Sequence, residues 1–499
     1  MSHLVRILFL IASAVIALFK FLHLHRWRVK IPYPPGPKGF PIIGNLLDIP
    51  TSFQWNTYTE WAKKYGDLIH INVLGVHLII INSEDIANEL IEKRSSNYND
   101  RPEITVMTMN GWEVNMGLKH YGNEWRRDRR VLHQRFRREA AAELYPLELA
   151  KSRALLQNML RDPNDFEGHF KLYPSAIIFY LLYGHEVKSM EDPLVNLTFE
   201  TIYLFSRSVF PGTNVLNVFP PLRHLPKWTP LLKEVYDLCA KNRGMLDRMQ
   251  SIPFDSVKYH MAQDTAVQSW VCELLQRNAT KGEEVVPEAV IKALGASTFA
   301  EAQKRAQAEI DEVIGNKRLP TFDDRMSLPY CEGLFRELFR WHGPAPLGVP
   351  HSTVDDDIYN GYLIPKGSIV IMNQWAMWRD QRVYDVPNEF RPERFLNVDG
   401  TLNNMFPPTF GFGRRACVGK SMADASIWIA LVSMLSVFHI TKAKDAAGND
   451  IEVPESYGDG IVSQPLPFKC SISPRSDAAR QLILDTPPME LDSNPMFYD

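Results

Sequence analysis

Phe410-Gly-Phe-Gly-Arg-Arg-Ala-Cys-Val-Gly419 opens onto Gly419 to Val437, a run whose apolar residues recur at helical spacing. A glycine-rich loop ending at a helix N-terminus leaves unpaired amides and the positive end of the helix dipole at its last residues. A thiolate at Cys417 would draw on both. Gly413 and Gly419 let backbone approach a flat ligand closely, and Phe410 is placed to shield the sulfur from water.

Three readings of this loop compete. A lone cysteine before an apolar helix is ordinarily a small buried hydrophobe. Gly411, Gly413 and Ala416 also fit a loose dinucleotide fingerprint, but that pattern follows a strand, and here Pro407 and Pro408 precede it with no βαβ unit around them. The third reading is a soft, hydrogen-bonded thiolate of the kind haem iron takes as a fifth ligand to favour O–O cleavage.

Working outward, the chain has 499 residues, 45% of them hydrophobic, enough for one large core or two moderate ones. Its net charge of -3 gives no reason to expect nucleic acid as a partner. Cys239, Cys272, Cys331, Cys417 and Cys470 are odd in number and form no CxxC pair, which speaks against a disulfide framework or structural zinc and for a reducing compartment. Leu4 to Leu24 is strongly apolar, interrupted by Arg6 and Lys20, and is followed by Arg26, Arg28 and Lys30. It reads as a single membrane span with a basic flank that keeps the rest of the chain cytoplasmic. A cleaved signal peptide is the competing reading, and no small-x-small cleavage site follows the apolar core.

Residues 1–30 are thus expected to be the anchor, residues 31–37 (Ile31-Pro-Tyr-Pro-Pro-Gly-Pro37) a stiff proline-rich hinge, and residues 38–499 the catalytic body. Strands are expected at Leu68 to Leu74 and His77 to Asn82, and again at Tyr362-Leu-Ile364 and Ser368 to Met372 around a turn at Pro365-Lys-Gly367. Helices are expected at Ser83 to Arg94, Glu124 to Arg137, Arg138 to Arg161, Pro230 to Ser251, Ser256 to Arg277, Pro287 to Gly315, Cys331 to His342 and Gly419 to Val437. Thr229 before Pro230 reads as a cap with proline at the first helical position. The fold class is mainly α with a small β portion.

Phe410, Gly413, Arg415, Cys417 and Gly419 resemble the haem-binding motif of the cytochrome P-450 family, whose spacing is highly specific. Other segments fall in the order that family requires. Glu337-Leu-Phe-Arg340 resembles its E-x-x-R pair and Phe390-Arg-Pro-Glu-Arg-Phe395 its P-E-R-F segment, so Glu337, Arg340 and Arg394 are expected to form a structural charge network. Alone, an i,i+3 pair is worth only a few tenths of a kcal/mol. Trp125-Arg-Arg-Asp-Arg129 is similar to the W-x-x-x-R helix that binds a haem propionate, and His351 stands where the family carries an arginine or histidine. The resemblance therefore implies haem b with iron on Cys417 and its propionates on Trp125, Arg129, His351 and Arg415. Met109-Asn-Gly-Trp112, His133-Gln-Arg-Phe136 and Arg223 to Trp228 look most like fungal members of secondary metabolism, nearest to the O-methylsterigmatocystin oxidoreductase-like group.

Such a family implies a microsomal fold with an N-terminal anchor, single-pass in the endoplasmic reticulum, and electrons from an NADPH-cytochrome P-450 reductase. It implies a monooxygenase that acts on a small apolar substrate, with Arg101 to Gly117, Pro346 to Val349 and Gly460 to Ser463 lining the pocket. The chain departs from the pattern on the distal side. The family's [AG]-G-x-[DE]-T-[TS] helix has no match; the nearest is Gly295-Ala-Ser-Thr298, with Glu301 to Asp311 close behind it. A helix crossing a domain needs roughly twenty residues, so the distal helix is expected to be truncated, with Thr298 as the candidate catalytic hydroxyl near the iron. Two rival functions follow: a haem-binding protein with impaired or no monooxygenase activity, and an enzyme that rearranges peroxides without a reductase.

Overall fold

The computed structural model describes residues 31–209, 215–218, 220–226, 229–280, 302–453, 456–488, 491–492 and 496. The expected anchor, residues 1–30, and residues 281–301, which hold Thr298, lie outside the described residues.

Leu68–Val73 (β1) and Val76–Ile81 (β2) pair antiparallel across Leu74 and Gly75, both with positive φ, as a two-residue hairpin turn requires. The alternation that announces these strands is correct to within one residue at each end. His351–Ser352 (β3) lies in the same sheet, but Asp357–Tyr359 (β4) and Tyr362–Ile364 (β5) form a separate hairpin. Ile369–Met372 (β6) runs parallel to β2 and antiparallel to β3, giving the order β1-β2-β6-β3. The turn at Pro365 to Gly367 closes with Ser368 N donating to Pro365 O at 3.2 Å. It joins strands of different sheets, because β5 has already taken β4 as its partner.

The longer helices are Gln54–Tyr65 (α1), Asn123–Phe136 (α2), Tyr145–Arg161 (α3), Phe166–Tyr183 (α4), Pro193–Val209 (α5), Pro230–Ala262 (α6), Trp270–Thr280 (α7), Ala302–Val313 (α8), Pro329–Trp341 (α9), Lys420–Val437 (α10) and Asp477–Asp485 (α11). Phe438–Lys442 (β7) and Cys470–Pro474 (β8) form a last two-stranded sheet.

Several expected boundaries are corrected. Pro230 to Ser251 and Ser256 to Arg277 are not two helices meeting at Pro253: α6 runs through that proline and ends at Ala262. Leu246, Met249, Val257 and His260 are buried at three- and four-residue intervals on both sides of it. The continuous buried face outweighs a proline cost of about 3 kcal/mol. Thr229 does precede the first turn, but its hydroxyl donates to Pro226 O at 2.7 Å instead of capping. Arg138 to Arg161 is broken: a 3-10 turn at Ala142–Leu144 precedes α3, so that Pro146 falls in a first turn, where its missing N–H costs nothing. Helices α1, α4, α5 and α11 are not among the expected ones. α4 is buried around most of its circumference and so shows no polar stripe.

Ser83 to Arg94 is an α-turn at Glu84–Ala87 followed by a π-helical turn at Asn88–Lys93. That widened turn brings the Ile91 carbonyl under Gly413; a Cβ there would stand 2.7 Å from it. Among the described residues, Lys420–Val437 is the one helix long and apolar enough to cross a membrane, and it is mostly buried. Met422, Trp428, Ile429, Val432 and Leu435 put it at the centre of the helical core.

Candidate active site

The loop from Phe410 to Gly419 is held at both ends. Phe412 is 4% exposed and packs into the core of the β1-β2-β6-β3 sheet with Leu90 and Ile91. Gly413 takes φ +62 and its N–H donates to Glu92 Oε1 at 2.8 Å, a conformation and an approach that only glycine accepts without strain. Cys417 N donates to Phe410 O at 2.8 Å and closes the loop. The Phe410 ring lies against Phe339 at 5.3 Å. No strand leads into the loop, which removes the dinucleotide reading.

Cys417 is partly buried just before the first turn of α10, and the Cβ direction of Gly419 points at its Sγ from 3.9 Å. Burial pushes the thiol above its ordinary range; the Gly419 amide, Arg129 and Lys420 pull the other way without prevailing. A bound metal ion would deprotonate a ligating thiol outright.

Beside this sulfur lies an excess of buried donors. Trp125 is 3% exposed on α2, and the Arg415 guanidinium stacks on its ring at 4.4 Å. Arg415 Nε donates to Asn99 O at 2.7 Å, yet Arg415 Nη2 and Trp125 Nε1 are buried with no hydrogen-bond partner among the described residues. Burial, then the neighbouring Arg129, lower the Arg415 guanidinium to about 10, while Asp100 and Tyr121 oppose the shift. Arg129 is half-buried and is also lowered by burial, with Cys417 acting against it. His351 is 2% exposed, and its Nδ1 donates to Tyr98 O at 2.7 Å. Burial and then Arg101, with a smaller contribution from Arg415, push its ring well below the usual histidine range. The structure therefore gathers Trp125, Arg129, His351 and Arg415 around one place next to Cys417.

The sequence reading missed Arg101, which it assigned only to a pocket-lining loop. Its buried guanidinium donates to Gly117 O, Val349 O and Pro350 O, each at 2.8 Å. The carboxylate that acts on both Arg101 and Arg415 is Asp100, whose Oδ1 is already engaged by the amides of Arg101 and Tyr121. A buried positive excess with orphaned N–H groups calls for an anion with several acceptor oxygens, and a pair of propionates meets that need. The residues present fit haem.

The family comparison gives the same answer. The cytochrome P-450 profile matches residues 34–293 and 298–472. The chain belongs to the cytochrome P-450 family. Similar proteins include cytochrome P-450 monooxygenase claR of Ampulloclitocybe clavipes, 38% identical over 475 residues, which cover 90% of this chain and 88% of that one. Monooxygenase 208 of Postia placenta is 37% identical over 496 residues, 95% of this chain and 96% of that one. Cytochrome P-450 monooxygenase ple1 of Rhodocybe pseudopiperita is 34% identical over 508 residues, 95% and 97% of the two chains. The chain is accordingly a monooxygenase of the oxidoreductase class with haem as its cofactor.

In this cytochrome P-450 the helix α9 carries the loop from below. Arg336 Nη1 donates to Asn403 O and Met405 O, and Thr409 Oγ1 to Phe339 O, so the segment leading to Cys417 is pinned to one helix. On the same helix Glu337 and Arg340 are both fully buried and joined by two hydrogen bonds of 2.6 and 2.7 Å. Arg340 also donates to Trp378 O and Pro387 O, and Arg394 Nε stands 3.2 Å from Glu337 Oε2. The ordinary exposed i,i+3 pair that these residues could have been is thereby replaced by a desolvated, saturated network. Outside it, Trp125, Arg126, Arg129, Arg130, His133 and Arg414 line an open cleft of about 490 Å³.

Proposed function

We propose that this cytochrome P-450 inserts one oxygen atom of O2 into a small apolar organic molecule, a secondary metabolite or a xenobiotic, using electrons from NADPH passed on by an NADPH-cytochrome P-450 reductase. The observation that carries the reading is the pair of buried guanidinium groups of Arg101 and Arg415, together with the orphaned N–H groups at Arg415 Nη2 and Trp125 Nε1. In this reading Cys417 would be the thiolate ligand of the iron, and Trp125, Arg129, His351 and Arg415, joined by Arg101, would hold the propionates. Haem, when bound, supplies the activation of oxygen. Phe410, Gly413 and Glu92 fix the loop that aims the sulfur, and Glu337, Arg340 and Arg394 keep its foundation in place. Each expected lining segment carries an exposed valine, Val114, Val349 and Val462, which favours apolar ligands. The exposed basic residues Arg126, Arg130 and Arg414 beside the cleft suit an acidic electron donor, despite a net charge of -3 for the whole chain. Residues 1–30 would tether the domain to the endoplasmic reticulum on its cytoplasmic face, and the fungal subgroup reading rests on the three sequence blocks already quoted.

The reduced, carbon monoxide-bound protein should show the absorption band of a thiolate ligand, and Cys417→Ala should abolish it. Persistence of that band in the variant would overturn the assignment.

A second reading, a haem protein with impaired turnover, is supported by a specific feature: the profile match breaks between residues 293 and 298, where the acid-threonine pattern is missing. A chain that lacks the acid-threonine pair would leave proton delivery in the reaction to bulk water. NADPH-driven turnover should then yield mostly hydrogen peroxide, and product per NADPH should rise when a full acid-threonine helix is restored. Equal, tight coupling in both chains would reject this reading.

A further inference from the structure

His342 follows α9 directly and is 5% exposed. Its Nε2 lies 2.9 Å from Ser463 Oγ, and that hydroxyl donates to Gly458 O at 2.7 Å. The serine proton is therefore committed to the carbonyl, so the imidazole must be the donor at Nε2 and keep its lone pair on Nδ1. A serine nucleophile activated by a histidine base is excluded by the same count. Nδ1 is buried with no hydrogen-bond partner among the described residues, so a second ring proton would have no acceptor. Burial and then Arg379 lower this ring to about 3, which keeps it neutral throughout the physiological range.

The ring also stacks on Tyr457 at 3.5 Å and 7° and meets Trp375 edge-on at 5.3 Å. Gly458 N donates to Gln464 O and Leu466 N to Ser456 O, which closes residues 456–466 into a narrow loop with Val462 near its tip. Ser463 N donates to Pro344 O at 2.9 Å, and Trp375 N donates to Pro346 O. One buried side-chain pair, one backbone bond and one ring stack thus tie this loop to the segment that ends at Val349.

We propose that His342 is a positioning residue for substrate size: through Ser463 it sets the Gly458 to Ser463 loop against the Pro344 to Val349 segment, and with it the width of the apolar pocket. The proposal rests on the reading that these two segments line that pocket. The probes are imidazole and 4-phenylimidazole, which both bind haem iron and are followed in the full-length holoprotein by the shift of its main absorption band. Ser463→Ala and His342→Phe, which keeps the ring stack, should each weaken 4-phenylimidazole relative to imidazole by about threefold to tenfold, the worth of one buried hydrogen bond. The double variant should show no further loss, Ser463→Thr should restore the parent ratio, and the carbon monoxide band should be unchanged throughout. The effect should not vary between about pH 6 and 8, because a neutral ring has nothing to titrate there. If Ser463→Ala and His342→Phe leave the ratio unchanged while Val462→Trp shifts it, the role of His342 is refuted and the lining reading stands. If Val462→Trp also leaves the ratio unchanged, the lining reading fails and takes the proposal with it. Should His342→Phe fail to hold haem, Ser463→Ala decides alone.

Discussion

Arg340 and Arg415 are both buried arginines, and they differ in what balances them. Arg340 finds both oxygens of the Glu337 carboxylate along one edge and backbone carbonyls on the rest. Arg415 finds Asn99 O, a long contact to Met116 O and a tryptophan face, and one Nη is left over. A buried ion pair that is fully saturated is self-contained and serves the fold. A buried cation that is not balanced is held in place at a cost, and that cost is recovered when an anionic ligand arrives. Glu148 shows a third solution. It is completely buried on α3 with neither oxygen hydrogen-bonded among the described residues, and burial, helped by Asp424, pushes its carboxyl up to about 8. It resolves its burial by remaining protonated.

The largest effect should come from breaking the balanced cluster. Glu337→Ala strands Arg340 and should destabilise the folded protein by about 3–5 kcal/mol, read from denaturant unfolding of the haem-free chain; a loss under about 1 kcal/mol would erase the distinction drawn here. In the unbalanced cluster, Arg415→Met should cost the haem-free fold little and weaken haem retention by about tenfold to a hundredfold, matching the loss of a charge-assisted hydrogen bond of ~1.5–3 kcal/mol. Competition for haem with apomyoglobin measures it. Equal damage to stability and retention would make Arg415 a structural residue like Arg340.

Glu148→Gln should stabilise the protein by on the order of 2 kcal/mol at pH 8 and by almost nothing at pH 5. The sign follows from a raised folded-state value: the folded chain holds a proton that the unfolded chain releases, so stability declines as pH rises from the ordinary carboxyl range towards about 8. Unfolding midpoints at the two pH values check this, and a larger gain at pH 5 would contradict it. The smallest effect is expected for Trp125→Phe, which keeps the ring under Arg415 and deletes one orphaned N–H. Haem should dissociate a few times faster, about 1 kcal/mol, with unfolding of the haem-free protein unchanged.

The sequence by itself determined what depends on short-range spacing. The loop around Cys417, the i,i+3 relation of Glu337 and Arg340, the hairpin at Leu74 and Gly75 and the start of α6 at Pro230 all follow from local backbone geometry and from which residue types tolerate it. Tertiary structure decided what depends on desolvation and on partners distant in the chain. Whether Glu337 is a solvated surface acid or a buried one, whether Arg101 lines a loop or adds to the positive excess 314 residues before Arg415 in the chain (415 minus 101), and on which side the Cys417 thiol is displaced are set by groups that no local pattern brings together. The same holds for Pro253, where a buried face supplied by α6 as a whole outweighs a residue that ordinarily breaks a helix, and for β5 and β6, which a turn joins but different sheets claim. Periodicity and φ preference act over a few residues, whereas the cost of burying a charge depends on every group around it, and only the folded chain fixes which groups those are.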